Sequence, residues 1–338
     1  MSANELPPPE AVQKILIWHQ GALGDLLLAG PALLAWRRHY PRARITALGQ
    51  MERWALLGPT LELEAVWDSA GALWAPLFQS ASTLPPALKE RLAPFQLALV
   101  FSPQPHPTLL ARLTQAGIAA VHWLPSWPAA GKEPVRAFLA AHLARLGLTV
   151  SLEPFRLIIG GGWQDQAPSL PGSGPVLAVA PGSGHPLKNW PLAHYYEVTR
   201  ALAWQHKLRV AWLAGPGEEP ILPYLKGLTA AQDHLLLMGL PLTAVAATLA
   251  RCRLYLGGDS GLTHLAAAVG VPGVLALFGP TDPKVWAPPG EGVRVLQAPC
   301  PQAPCASGRE ITCPEPQCLE NLTPQLVLKT AAALWQRG

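Results

Sequence analysis

A run of small and polar residues follows an apolar segment in the second half of the chain. The apolar run at 254–256 breaks at the glycine pair 257–258, where we expect a strand to end and a helix to begin, with Asp259-Ser260 as its N-terminal cap. The residues that bear chemistry are Asp259, Ser260, Gly261 and His264. The first N–H groups of such a helix lack intrahelical partners and lie at the positive end of its dipole. The pattern therefore predicts a site for an anion such as a diphosphate, with His264 as a further donor; an ordinary well-capped βαβ unit is the alternative.

A second Gly/Ser segment follows the apolar run at 176–180. It reads Pro-Gly-Ser-Gly at 181–184, contains Ser183, and is followed by Lys188 just before the next predicted helix. A lysine at this place suits a charge-assisted hydrogen bond to a diphosphate. The segment is not a Walker A loop, because the Gly-Lys-Ser/Thr ending is absent.

A pair of acidic residues, Glu218 and Glu219, follows the Gly-Pro-Gly turn at 215–217. By analogy with the acidic residue of dinucleotide sites, one of these carboxylates would bind ribose hydroxyls. First-turn acids favoured by the helix dipole are the alternative. The sequence does not separate the two residues.

A similar pattern occurs near the amino terminus. After the apolar run at 14–18, His19 begins a glycine-containing turn in which Asp25 follows Gly24 directly. A carboxylate there would serve as general base toward a hydroxyl group, with His19 and Gly24 on the same side. Helix capping is the alternative role for Asp25.

The chain contains no Asp-x-Asp pair, so it lacks the obvious ligands for a magnesium ion bridging a nucleotide diphosphate. The charge of a leaving diphosphate would instead be met by Lys188, His264 and helix amides. Four cysteines lie close together in sequence near the carboxyl terminus: Cys300, Cys305, Cys313 and Cys318. A structural metal site, disulfides and plain thiols all remain open for them, whereas Cys252 in an apolar stretch is expected in the core.

Alternating strand and helix patterns position these groups. Strands are predicted at 14–18, 44–48, 65–67, 97–101, 119–123, 176–180, 209–213, 235–237, 254–256 and 274–278. Helices are predicted at 26–39, 107–116, 134–146, 191–206 and 241–251, and another runs from the Asp259-Ser260 cap to about 269. A closing helix is predicted over 323–338. This alternation predicts an α/β fold with parallel sheets.

The predicted organisation is a disordered Pro-rich tail (1–13), a first α/β domain (14–160), a Gly/Pro/Ser-rich linker (161–175) and a second α/β domain (176–322). Two Rossmann-like halves would face each other, and the cleft between them is the expected site.

Composition narrows the function classes. A chain of 338 residues suits two domains, and a net charge of +4 without a Lys/Arg cluster argues against nucleic acid as a partner. No apolar run approaches the ~20 residues needed to cross a bilayer, and no signal-peptide pattern is present, so a cytoplasmic location is predicted. Neither half carries Gly-x-Gly-x-x-Gly after its first strand, which disfavours a nicotinamide-dependent dehydrogenase.

Three motifs together resemble glycosyltransferase family 9, best known for the ADP-heptose:lipopolysaccharide heptosyltransferases. They are Gly-Ala-Leu-Gly-Asp25; Pro-Gly-Ser-x4-Lys188-x-Trp-Pro; and Gly-Asp259-Ser260-Gly261-x-x-His264-Leu-Ala-Ala-Ala-x-Gly-Val-Pro with Phe-Gly-Pro-Thr-Asp282-Pro. The resemblance implies a GT-B architecture and inverting, metal-independent transfer, with 14–160 as the acceptor-side domain and 176–322 as the domain that binds the nucleotide-sugar donor. It places the base on Asp25, the diphosphate contact on Lys188 and the donor motif on 259–264. The chain departs from the family at His19, where arginine is frequent.

The predicted function is transfer of a sugar, heptose from ADP-heptose, to a lipid-linked saccharide of the lipopolysaccharide-core type. The nucleotide sugar is a substrate, no cofactor is required, and contact with the inner face of the cytoplasmic membrane is expected. Two alternatives are a nucleotide-sugar epimerase or hydrolase of the same fold and a non-catalytic nucleotide-sugar-binding protein.

Overall fold

A computed structural model of the chain describes residues 6–80, 83–128, 133–170, 172–232, 234–307 and 310–337. The chain divides into two compact units, Met1–Gly160 and Gly161–Gly338. Among the residues that the structure describes, no helix combines the length and apolarity needed to span a bilayer.

The first unit is built on a five-stranded parallel sheet of order β3-β2-β1-β4-β5. Its strands are β1 (Lys14–His19), β2 (Arg44–Gly49), β3 (Leu63–Asp68), β4 (Leu97–Ser102) and β5 (Ala120–Pro125). Its α-helices are α1 (Leu23–Leu28), α2 (Gly30–His39), α3 (Met51–Ala55), α4 (Gly58–Leu61), α5 (Pro86–Leu92), α6 (Pro107–Gln115) and α7 (Val135–Ala144), with 3₁₀ turns at Pro9–Ala11 and Ala72–Phe78.

The second unit contains a six-stranded sheet of order β11-β10-β9-β6-β7-β8 and a small hairpin. The sheet strands are β6 (Val176–Ala180), β7 (Arg209–Ala214), β8 (Leu235–Met238), β9 (Leu254–Gly258), β10 (Gly273–Phe278) and β11 (Val293–Gln297); the hairpin joins β12 (Ala306–Ser307) to β13 (Glu310–Ile311). The α-helices are α8 (Trp163–Gln166), α9 (Leu192–His206), α10 (Leu222–Gln232), α11 (Leu242–Leu249), α12 (Gly261–Val269), α13 (Pro283–Trp286), α14 (Gln317–Glu320) and α15 (Pro324–Arg337), with 3₁₀ turns at Pro186–Lys188 and Pro216–Ile221.

The strand order creates a switch point in each sheet. In the first unit the chain runs from β1 outward to β2 and β3 and then returns to β4 on the other side of β1. In the second it runs from β6 outward to β7 and β8 and returns to β9 beside β6. Ligands of doubly wound sheets bind outside the carboxyl ends of the strands at such points. The residues after β1, β6 and β9 therefore hold the places expected of a site.

The central strands are apolar along their whole length because helices cover both faces of a parallel sheet. All residues of β4, β6 and β10 are buried. In the second unit, α9 and α15 pack on the core that contains Trp190, and its indole N–H donates to the carbonyl of Leu322 at 2.9 Å. This bond ties the carboxyl-terminal segment to the second sheet.

The described residues of the predicted tail are ordered, which corrects the disorder predicted for 1–13, and the predicted linker begins where the two units divide. Residues 1–5 lie outside the described part of the chain, but Val12 is buried and the Tyr40 hydroxyl donates to the carbonyl of Pro7 at 2.8 Å. Within 161–175, residue 171 is not described, while Trp163 in α8 is buried and α8 packs on α11. Single apolar residues in a Pro/Gly-rich context gave no periodic signal for this packing.

Other boundaries differ for local reasons. The helix predicted over 26–39 is two helices, because Pro31 near the start of α2 has no N–H to continue the hydrogen bonding of α1. Strand β11 was not predicted; every residue in it is only half-buried, as suits an edge strand with a mixed sequence.

Candidate functional site

The two predicted anion-binding segments meet at the switch point of the second sheet. Strands β6 and β9 are neighbours, so the loop after β6 and the start of α12 lie side by side. There the Lys188 ammonium nitrogen lies 2.7 Å from Oδ2 of Asp259, and their side chains are 22% and 9% exposed. The sequence placed both residues at this edge but did not predict that they pair.

Asp259 does not cap α12, contrary to the sequence interpretation. Ser260 holds the N-cap position with an extended backbone (φ −144°, ψ 164°), and no side chain makes a capping hydrogen bond there. The Asp259 carboxylate instead accepts hydrogen bonds from Lys188 and from the Thr281 hydroxyl, each at 2.7 Å. The first amides of α12, beginning at Gly261, are consequently left to water or a ligand.

His264 lies in α12 and is buried in the second unit. Burial, opposed by the Asp259 carboxylate and reinforced by Lys188, lowers its pKa to about 4. The imidazole is therefore neutral at pH 7 and offers one N–H without a positive charge. Because Asp259 also balances Lys188, these three side chains carry no net charge before a ligand binds.

Ser183 shapes the loop that ends at Lys188. Its hydroxyl lies 2.8 Å from the carbonyl oxygen of His185 and 2.7 Å from Oδ1 of Asn189. The His185 ring in turn accepts a hydrogen bond from the Leu187 N–H at the start of the 3₁₀ turn. Local bonds therefore fix the backbone from which Lys188 projects.

Glu218 and Glu219, which the sequence did not separate, lie in different environments. Glu219 is exposed, whereas Glu218 is 7% exposed and accepts a hydrogen bond from the Gly215 N–H at 2.7 Å. Burial raises the pKa of Glu218, and hydrogen bonds from backbone amides, including those of Gly215 and Gly182, oppose that rise. A Cβ atom at Gly182 would overlap the carboxylate of Glu218. The carboxylate therefore lies directly against the loop of Ser183, and any side chain at position 182 would displace it.

The amino-terminal candidate residues surround the turn between β1 and α1. The Asp25 carboxylate accepts a hydrogen bond from the Ala22 N–H at 2.9 Å, so the capping role considered for it is present. Nδ1 of His19 accepts from the Gly21 N–H at 3.2 Å. A Cβ atom at Gly21 would lie 2.6 Å from the His19 ring and 3.0 Å from Cβ of Asp25. The turn thus brings His19 and Asp25 together around Gly21, with Gly24 in the first turn of α1.

The charge at this turn comes from a residue that the sequence reasoning missed. Arg53, in α3, donates to the carbonyl of Gly21 at 2.7 Å. Burial, and secondly the Arg53 guanidinium, lower the pKa of His19 to about 4. His19 is therefore neutral at pH 7, and the permanent positive charge expected at position 19 is supplied from α3. Nothing in the local pattern at 51–55 indicated this contact.

The cysteine segment packs on the core of the second unit through Cys300 and Cys318. All five cysteines are free thiols, with Cys252, Cys313 and Cys318 buried and the other two half-buried. Burial and then the neighbouring Cys313 raise the pKa of Cys305, and burial and then Cys300 raise that of Cys318 to about 11. Over the described ranges, no three His, Cys, Asp or Glu side chains are grouped as a metal site. The structure therefore contradicts the disulfide alternative for Cys300, Cys305, Cys313 and Cys318.

Two doubly wound α/β units, each with polar groups at a switch point, confirm the predicted fold class, two parallel-sheet α/β domains of the GT-B type. A family model described as "Glycosyltransferase family 9 (heptosyltransferase)" matches residues 153–318. The matched region contains the motifs of Lys188 and Asp259, and it confirms the resemblance of the chain to this family.

Known relatives agree with this resemblance. Lipopolysaccharide heptosyltransferase 1 of Pseudomonas aeruginosa is 30% identical over 176 residues, which cover 47% of this chain and 48% of that protein. The chain spans about half the length of the curated relatives it matches.

Solved structures share the fold over nearly the whole chain. The family 9 glycosyltransferase from Veillonella parvula has a TM-score of 0.75 at 18% identity, covering 96% of this chain and 98% of that one. An E. coli heptosyltransferase solved with ADP-2-deoxy-2-fluoro heptose has a TM-score of 0.68 at 20% identity, covering 95% and 99%.

Proposed function

We propose that the chain is an inverting, metal-independent glycosyltransferase that transfers heptose from ADP-heptose to a saccharide acceptor of the lipopolysaccharide-core type. The observation that carries the proposal is the Lys188–Asp259 pair at the switch point of the second sheet, inside the region that matches family 9. The E. coli heptosyltransferase with an ADP-heptose analogue supports ADP as the nucleotide.

The donor diphosphate would bind at the start of α12 and at Lys188. Because Lys188, Asp259 and His264 together carry no net charge, the helix amides and dipole supply much of the anion stabilisation. Lys188 would contribute an ammonium N–H that the Asp259 carboxylate does not use, and His264 a neutral N–H donor. No metal ion enters this proposal.

Glu218 is the proposed ribose contact. Its carboxylate lies against Gly182 beside the Ser183 loop, and the bond from Gly215 leaves lone pairs for further donors. Glu219 is exposed, and no described contact holds its side chain toward that loop.

Asp25 is the proposed general base toward the acceptor hydroxyl. Direct displacement needs a proton acceptor at the attacking hydroxyl and stabilisation of the leaving diphosphate. Asp25 follows the carboxyl end of β1 in a turn fixed by His19 and Arg53, with Gly24 beside it. The proposed acceptor is lipid-linked, which is why we propose action at the inner face of the cytoplasmic membrane.

The test is transfer from ADP-heptose to lipopolysaccharide-core acceptors truncated before each heptose, after dialysis of the protein against EDTA. Proton NMR of the product should show inversion at the anomeric carbon. The transfer rate of the dialysed protein should be the same with and without added divalent metal. ADP release without an acceptor would favour a hydrolase, and donor interconversion an epimerase. Absence of turnover with retained ADP binding would favour the non-catalytic alternative.

A further inference from the structure

Thr281 lies in the turn that follows β10 and reaches the candidate donor site. Its hydroxyl donates to Oδ2 of Asp259 at 2.7 Å, and the residue is 4% exposed. The same oxygen receives the Lys188 ammonium group at 2.7 Å. Two donors on one oxygen fix the rotation of the carboxylate, and that rotation determines where the ammonium group lies.

The turn that carries Thr281 is itself held by the residues after β10. The side-chain amide of Gln297 donates to the carbonyls of Gly279 and Thr281 at 2.8 and 3.0 Å. The backbone N–H groups of Cys305 and Ala306 both donate to the carbonyl of Pro280, at 2.9 and 3.1 Å. The position of the Thr281 hydroxyl is thus set by the fold before any ligand arrives.

We infer that Thr281 is a positioning residue of the donor site, which acts on a bound diphosphate through Asp259 and Lys188 without touching it. The inference rests on the proposed function, because it assumes that a nucleoside diphosphate binds beside Lys188.

The physical reason is the demand of a buried carboxylate for hydrogen bonds. Asp259 is 9% exposed, and a buried charged group needs several donors. The Thr281 hydroxyl meets part of this demand. One ammonium N–H then suffices for Asp259, and Lys188 can direct the others toward a phosphate. Without the Thr281 hydroxyl, Asp259 holds the Lys188 ammonium group more closely. The flexible Lys188 side chain then no longer points in the direction that suits a phosphate.

Calorimetric titration with ADP tests the inference in the full chain. Thr281→Val keeps the shape but removes the hydroxyl, and it should weaken ADP binding about 5- to 15-fold. This is less than the full loss of a hydrogen bond to a charged partner, because Thr281 acts on the ligand only through Asp259 and Lys188. Thr281→Ser keeps the hydroxyl and should bind within about twofold of the parent. The matched control is Thr248→Val: Thr248 is equally buried, but its hydroxyl donates to Ala244 within α11, so ADP affinity should not change.

A double-mutant cycle separates positioning from general support of the fold. In a Lys188→Met background, Thr281→Val should change ADP affinity by less than about twofold, because the residue through which it acts is gone. An equal loss of affinity with and without Lys188, or no loss in Thr281→Val, would overturn the inference. Thr281→Ala takes the place of the valine variant if the latter does not fold.

Failure of the proposed function has a different signature. If the parent protein binds no ADP at all, the donor site is misassigned, and the part of the inference that can still be tested is the coupling of Thr281 to Lys188 through Asp259 in the free protein. Urea unfolding of the parent, Thr281→Val, Lys188→Met and the double variant should then show non-additive midpoint shifts. Additive shifts would show that Thr281 and Lys188 are not coupled through Asp259, which overturns it.

Discussion

Replacing Lys188 by methionine tests the electrostatics of the proposed donor site. Methionine keeps most of the length of the side chain but removes the ammonium group that lies 2.7 Å from Asp259. A bound diphosphate would lose a charge-assisted hydrogen bond, worth about 1.5–3 kcal/mol. It would also face an uncompensated carboxylate. Two unit charges about 6 Å apart repel by about 3 kcal/mol at an effective dielectric constant of about 20.

The two effects together predict a fall in ADP affinity of about 10³- to 10⁴-fold in Lys188→Met, since each 1.4 kcal/mol is a factor of about ten. The double variant Lys188→Met with Asp259→Asn removes both charges. It should therefore bind ADP about tenfold or more tightly than the single variant, although it lacks one more native group. Calorimetry at constant ionic strength measures all of these affinities.

Equal ADP affinities of the single and double variants would show that Asp259 does not oppose the ligand. The charge argument would then be wrong even if Lys188 binds phosphate. Unchanged affinity in Lys188→Met would remove the whole proposed donor site. Thermal unfolding of each variant shows whether a lost affinity reflects a lost fold.

Three further predictions address the other candidate residues. Asp25→Asn should lower turnover by about 10²- to 10⁴-fold, because the amide cannot take up a proton, while ADP affinity and melting temperature stay nearly unchanged. Near-normal transfer, or a clear fall in melting temperature, would show that Asp25 serves as a helix cap. Glu218→Ala should weaken ADP binding about tenfold or more and Glu219→Ala less than twofold, and the reverse order in calorimetry would place the ribose elsewhere. His264 has a folded-state pKa of about 4 against 6.5 in the unfolded chain, so the unfolded state binds more protons between these values and stability falls as pH drops from 7 toward 4. His264→Gln should remove about 2 kcal/mol of the stability difference between pH 7 and 5 in urea unfolding, and an unchanged difference would contradict the buried neutral state of His264.

The sequence predicted the parts of the fold that have a strong local signal. Strand β6 has the predicted bounds because five consecutive apolar residues lie between Pro/Gly-rich turns. Edge strand β11 escaped prediction because Arg294 and Gln297 interrupt its apolar pattern and its residues are only half-buried. Periodicity detects burial, so an element that is half-buried throughout gives little signal.

The sequence located the residues of the candidate site but did not predict the contacts between them. Asp259 was interpreted as a helix cap because short polar residues before a helix usually cap it. Its partners, Lys188 and Thr281, lie 71 and 22 residues away in the chain. Likewise Arg53 reaches the turn of Asp25 from a helix whose own sequence shows no functional pattern. Contacts of this kind depend on the strand order of the sheet, which residue spacing alone does not reveal.

The hydrogen bonds from Cys305 and Ala306 to Pro280 have a consequence for inhibitor design. Cys305 is half-buried and one residue from the hairpin strand β12, so a small electrophile attached to its sulfur would displace the backbone that holds the Pro280 turn. Because Thr281 is the next residue, such a displacement would be transmitted to Asp259 and Lys188. A group attached to Cys305 would thus reach the proposed donor site only through this turn, and burial, which raises the pKa of the thiol, makes the sulfur a slow nucleophile toward such a group.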